Sequence, residues 1–155
     1  MPRPKYLLRQ RQYVMFLIEA FRRVTSLGVT SGRLCMTQIL VVDDEKMIRE
    51  LLRLALSLAG YGVVEACNGQ EGLAVYHQTG IGLVITDLDM PQMDGMTMIN
   101  ALRSKYGTIP IIVISGVARS QGDHVKALGV QYTFQKPFCL SELLDAVRML
   151  VRREP

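Results

Sequence analysis

No stretch of about 18 consecutive apolar residues occurs in the chain, so the sequence predicts no membrane-spanning helix. Cysteine is scarce. Cys35, Cys67 and Cys139 are odd in number and too widely spaced for the paired patterns that ligate zinc, which leaves no basis for a disulfide framework or a zinc site. They read as reduced structural thiols of a cytoplasmic protein. The two histidines, His77 and His124, stand apart on predicted helices and read as surface residues. A secretory leader fits poorly, because Glu19 interrupts the amino-terminal apolar run.

What the chain does have is enough apolar residues for one core, and a lopsided charge. At 155 residues and 49% hydrophobic it can bury one full core, and its length demands no second large domain. The net charge of +4 originates in residues 1–35, where Arg3, Lys5, Arg9, Arg11, Arg22, Arg23 and Arg33 face Glu19 alone. Residues 36–155 hold eleven basic and thirteen acidic side chains, a formal −2. A nucleic-acid binder would show a basic face on its folded domain, so direct nucleic-acid binding is not expected. Within the extension, Tyr6–Val24 has the pattern of a basic amphipathic helix, suited to a membrane surface, a partner or the domain itself. The competing reading is that translation starts at Met36 and residues 1–35 are a mis-assigned start.

From Met36 onward, short β-rich apolar runs alternate five times with segments of helical period. The strands are predicted at Ile39–Val42, Val63–Ala66, Leu83–Thr86, Ile111–Ile114 and Val130–Phe134. Two of them, Ile39–Val42 and Ile111–Ile114, are apolar without alternation, as central parallel strands covered on both faces must be. Helices are predicted over Glu45–Ala59, Glu71–His77, Met96–Tyr106, His124–Leu128 and Ser141–Val151. The first carries Met47, Leu51, Leu54, Ala55 and Leu58 at helical spacing, with Arg49, Glu50 and Arg53 elsewhere on its surface and Gly60 after its end. In the last, Leu143, Leu144, Val147 and Leu150 point inward and Ser141 is the expected N-cap. The fold class is therefore α/β, a doubly wound five-stranded parallel sheet with helices on both faces, (βα)5. Ligands of such sheets sit at the carboxyl ends of the strands.

Acidic and polar residues gather at those ends: Asp43 and Asp44 after the first strand, Asp87 at the third, Ser115 at the fourth and Lys136 at the fifth. Bringing three carboxylates together costs on the order of 1 kcal/mol or more per close pair, and a cation must compensate. Mg²⁺ suits a few carboxylates plus water and phosphate oxygens. With Lys136 as a fixed positive charge and Ser115 as a hydroxyl donor, the set describes a pocket for a phosphoryl group.

Val41-Val42-Asp43-Asp44-Glu45, Thr86-Asp87-Leu88-Asp89-Met90-Pro91-Gln92-Met93-Asp94-Gly95, Ile114-Ser115-Gly116 and Lys136-Pro137-Phe138 resemble, in order and spacing, the motifs of response-regulator receiver domains. The resemblance covers residues 36 to about 152 and implies a flavodoxin-like fold of the chemotaxis-regulator type. It implies that Asp87 is the phosphoacceptor, served by a sensor histidine kinase or a histidine phosphotransfer protein. It further implies that Asp44 binds Mg²⁺ directly, Asp43 largely through water, and Asp89 through its backbone carbonyl, while Ser115 follows the phosphoryl oxygen and Lys136 pairs with the phosphate. A cis Lys136-Pro137 bond is common in the family. The phosphate's charge of about −1.5 to −2 is then the signal, read by a downstream protein on the face of the fourth helix, fifth strand and fifth helix. A homodimer is compatible with such a domain. The family is a signalling family rather than one of enzymes, although its members assist their own phosphorylation and dephosphorylation.

Two positions depart from the pattern. Thr133 stands three residues before the lysine, where receivers carry a switching Tyr or Phe, and neither Tyr132 nor Phe134 substitutes without a bulge, because adjacent strand residues face opposite ways. Asp89, two residues after the acceptor, adds a carboxylate where side chains influence the access of water.

Asp94-Gly95 reads as a turn and helix start, and Met90, Met93, Met96 and Met98 as packing rather than a copper site. Because the chain stops at Pro155, soon after the fifth helix, a stand-alone receiver is expected. The alternative, a haloacid-dehalogenase-like phosphatase with Asp87 as nucleophile and Asp89 as acid, fails on order, since its metal-binding acidic pair should come late in the chain. A flavodoxin-like electron carrier would need a Ser/Thr/Gly-rich phosphate loop where Asp43-Asp44-Glu45 stands.

Overall fold

Five parallel strands form one sheet in the order β2-β1-β3-β4-β5: β1 Gln38–Val42, β2 Gly62–Ala66, β3 Ile81–Thr86, β4 Ile111–Ser115 and β5 Tyr132–Gln135. The structure is a computed structural model that describes residues 37–77, 80–116 and 122–151. The predicted helix Tyr6–Val24 and the rest of the amino-terminal extension lie outside the described residues. Ile39, Leu40, Val41 and Val42 are wholly buried, as are Ile111, Ile112 and Val113, because strands flanked on both sides and covered on both faces have no water to meet.

Side chains alternate across the sheet. Leu40, Val42, Val84, Ile111 and Val113 turn to one layer, where they pack with Met98, Ile99 and Leu102 of α3 (Gly95–Tyr106) and Val125 of α4 (Gly122–Ala127). Leu73 and Tyr76 of α2 (Gly69–Tyr76) join that layer, as do Met90, Met93 and Met96, so the methionines pack. Elsewhere α1 (Lys46–Leu58) lies against β1 and β2, and α5 (Leu140–Val151) against β3. Among the described residues no helix is long and apolar enough to cross a membrane.

Three local expectations are corrected. In α1 the buried face is Ile48, Leu51, Leu52, Ala55 and Leu56, whereas Met47, Leu54 and Leu58 are 51%, 44% and 39% exposed. Two apolar stripes overlap in this helix, and the winner has the full i, i+3, i+4, i+7, i+8 spacing. In α5 the helix begins at Leu140, with the Leu143 amide donating to the Cys139 carbonyl at 3.1 Å. Ser141 is therefore in the first turn rather than at the N-cap. Strand β5 starts at Tyr132 rather than Val130, because the Gln131 side-chain oxygen accepts from the Ile111 amide at 2.7 Å before regular pairing begins.

Strand register sets the site. Val42 pairs with both Ala66 and Thr86, so Asp43 and Asp87 leave neighbouring strands at the same level. The Asp87 amide donates to the Val42 carbonyl (2.9 Å) and the Lys136 amide to the Ser115 carbonyl (2.8 Å), drawing the four strand ends together.

Candidate functional site

Asp87 is 5% exposed at the end of β3. Its Oδ1 accepts from the amides of Leu88 (2.6 Å) and Asp89 (3.2 Å), which aims Oδ2 at Lys136 Nζ, 2.6 Å away. The turn that follows closes when the Gly95 amide donates to the Leu88 carbonyl at 2.9 Å. A Cβ at Gly95 would lie 2.0 Å from the Asp87 carbonyl oxygen, so only glycine permits this approach. Asp94 caps α3 by accepting from the Thr97 amide at 2.7 Å.

Asp43, 2% exposed, accepts from the Glu45 amide (2.8 Å) at Oδ1 and from Lys136 Nζ (2.9 Å) at Oδ2. Asp44 is exposed, yet one carboxylate oxygen from each of Asp43, Asp44 and Asp87 lies within 4.8 Å of the others. Lys136 reaches out from a cis Lys136-Pro137 peptide, its side chain 13% exposed, and also meets Glu45 Oε1 at 3.1 Å. The sequence-predicted Asp43, Asp44, Asp87 and Lys136 therefore converge. Buried Ser115 ends β4 next to Lys136, and Asp89 is exposed beside Asp87.

Burial and close pairing both act on the charges of the site. Burial pushes the Asp43 carboxyl up to about 6, with neighbouring Asp87 adding to it, even though Lys136 and the Glu45 amide pull it down. Burial alone would lower Lys136, but hydrogen bonds to Asp43 and Asp87 outweigh it and hold the ammonium above its ordinary range. Both groups are shifted toward their protonated forms, Asp43 chiefly by burial and Lys136 by its two carboxylate partners. A hard divalent cation fits this donor set of oxygens.

Thr133 is exposed on β5 opposite Val113, and the β4–β5 register runs without a bulge from Tyr132 to Gln135. Tyr132 and Phe134 stack on each other at 6.5 Å between ring centres, and being odd-numbered steps from Thr133 they occupy the other face of the strand. Two participants escaped the sequence reading. Glu45 appears in the sequence reading as the last residue of the first motif and as a helix start, with no role assigned to its side chain. Arg49, expected on the surface, has a side chain 16% exposed and donates from Nη1 to the carbonyls of Asp43 (2.7 Å) and Asp44 (3.2 Å).

The family model for the response regulator receiver domain matches residues 39–148. Among curated relatives, response regulator MprA of Mycolicibacterium vanbaalenii is 39% identical over 118 residues, 75% of this chain and 51% of the relative. The probable transcriptional regulator ycf27 of Porphyridium aerugineum is 36% identical over 118 residues, 75% of this chain and 48% of the relative. The chain thus spans about half the length of the curated relatives it matches. A response regulator receiver protein from Pseudomonas putida superposes with a TM-score of 0.69 at 35% identity, over 75% of this chain and 98% of that one. Response regulator TrrA of Thermotoga maritima, solved in complex with Mg²⁺-BeF, gives 0.69 at 34% identity over 74% and 99%. These matches support the receiver reading and not the haloacid-dehalogenase-like alternative. With its strand order, its acidic cluster facing a lysine, and these matches, the chain belongs to the response regulator receiver domain family.

Proposed function

We propose that Asp87 accepts a phosphoryl group from a phosphohistidine of a sensor histidine kinase or histidine phosphotransfer protein, and that the modified domain changes its binding to a downstream protein. The observation that carries this reading is Lys136 Nζ at 2.6 Å from Asp87 Oδ2, beside a cluster of three carboxylates. A carboxylate oxygen of Asp87 attacks phosphorus, the P–N bond breaks, and the imidazole leaves with the electron pair and takes a proton. Lys136 then pairs with a phosphoryl oxygen and Ser115 offers its hydroxyl to another. Asp43, Asp44, Asp87 and the Asp89 carbonyl would hold Mg²⁺, which when bound neutralises negative charge on the carboxylates and the transferring group. The exposed aromatic Tyr132, stacked on Phe134, and the exposed Met149 support an output face on α4, β5 and α5. Exposed free thiols at Cys67 and Cys139 suit a reducing compartment, and the reading places the domain in the cytoplasm.

Acetyl phosphate with Mg²⁺ tests the proposal by intact-mass measurement. The expected result is one added phosphoryl group in the wild type and none in Asp87→Asn. Steady multi-turnover release of phosphate from unrelated phosphomonoesters would overturn it.

A further inference from the structure

The Asp44 carboxylate is exposed and accepts no hydrogen bond from the described residues, whereas that of Asp43 is fixed by Lys136 and the Glu45 amide. Something other than its own side-chain contacts must aim Asp44. Its backbone is what is held: Arg49 Nη1 donates to the carbonyls of both Asp43 and Asp44. Helical side chains lean toward the helix N-terminus, so an arginine one turn into α1 reaches back naturally over the β1–α1 loop.

The guanidinium is in turn gripped from the neighbouring strand. Arg49 Nε lies 3.8 Å from Glu65 Oε1, and Glu65 Oε2 lies 3.5 Å from Arg53 Nε. Glu65 sits on β2 opposite Val41, close to the point where β1 enters the acidic loop, and the Asp43 amide donates to the next β2 residue, Ala66, at 3.2 Å. A guanidinium this sheltered loses hydration, a cost offset here by backbone carbonyls and one carboxylate.

We infer that Arg49 is a positioning residue: it fixes the peptide carrying Asp43 and Asp44 so that both carboxylates are presented for Mg²⁺, with Glu65 orienting it. The inference rests on the phosphoacceptor reading and deepens it. Two effects of Arg49 oppose one another. Its charge repels a divalent cation, while its fork orders the loop that binds one. The geometry favours the fork, because Nη1 spans two consecutive carbonyls, a grip that a lysine ammonium on its flexible stem does not reproduce.

The chain contains no tryptophan, so Mg²⁺ binding is best followed by ¹⁵N NMR titration of the full chain, with urea unfolding as the check that each variant is folded. Arg49→Ala and Arg49→Lys should each weaken Mg²⁺ binding about tenfold, the usual consequence of losing an outer-shell partner. Glu65→Gln should weaken it less. Lys46→Ala, at a side chain 78% exposed and paired among the described residues with Glu50 alone, should leave it unchanged. At saturating Mg²⁺ the Arg49 variants should still take up beryllofluoride fully, separating metal presentation from acceptor chemistry. Unchanged affinity in folded Arg49→Ala would overturn the inference, as would tighter binding in Arg49→Ala or wild-type affinity in Arg49→Lys. A wild type that binds Mg²⁺ but takes no beryllofluoride overturns the phosphoacceptor reading while the Arg49 comparison still decides this one. A wild type that binds no Mg²⁺ overturns both.

Discussion

Two cationic side chains hold opposite ends of this sheet, and their surroundings differ in one respect. Arg103, on α3, donates to four neutral carbonyls: Leu128 (2.9 Å), Gly107 (3.2 Å), Ile109 (2.5 Å) and Gly129 (2.9 Å). Burial lowers its proton affinity, and no carboxylate among the described residues pairs with it. Lys136 faces Asp43, Asp87 and Glu45, and its proton affinity is raised. Arg103 ties loops together through carbonyl dipoles. Lys136 stands among more negative charge than it can neutralise, so its end of the sheet is poised to take a further cation or a group bearing one.

Removing each cation is the strongest way to break the contrast. Lys136→Ala should cost about 3–5 kcal/mol without Mg²⁺, since it leaves Asp43 and Asp87 buried and unpaired, and Mg²⁺ should restore much of the loss. Urea unfolding with and without Mg²⁺ checks this. Arg103→Ala should cost about 1–3 kcal/mol through its orphaned carbonyls, and by the same measurement the cost should not depend on Mg²⁺.

The burial of Asp43 also has a pH signature. Asp43 binds its proton more tightly when folded (about 6) than at its ordinary value of 3.8, so the folded state holds more protons between those values and stability falls as pH rises through them. Roughly two pH units correspond to about 3 kcal/mol. The difference in stability between Asp43→Asn and the wild type, followed from pH 4 to 7.5 without Mg²⁺, should grow by an amount of that order in favour of the variant. A flat difference would show that Asp43 carries no penalty.

The five-stranded parallel sheet, its buried central strands and the convergence of Asp43, Asp44, Asp87 and Lys136 were legible in the sequence because each depends on backbone periodicity and strand ends. The buried face of α1 was not. Met47, Leu54 and Leu58 compete with Ile48, Leu52 and Leu56 for the same helix, and Leu51 and Ala55 belong to both stripes, so the shared positions do not tell them apart. Arg49 was illegible for a related reason: its function lies in contacts with backbone carbonyls and with a carboxylate on the next strand, neither of which leaves a spacing signature. The smallest expected effect tests this point. Leu54→Gln, on the exposed face, should change stability by no more than about 0.5 kcal/mol, whereas Ile48→Ala should cost about 2–5 kcal/mol.

The account stands or falls on charge at the ends of β1 and β3. Fluorine NMR of beryllofluoride binding measures it most directly. A bound resonance should appear in the wild type only when Mg²⁺ is present, and should be absent from Asp87→Asn at any Mg²⁺ concentration. A bound resonance that persists without Mg²⁺, or survives in Asp87→Asn, would contradict it.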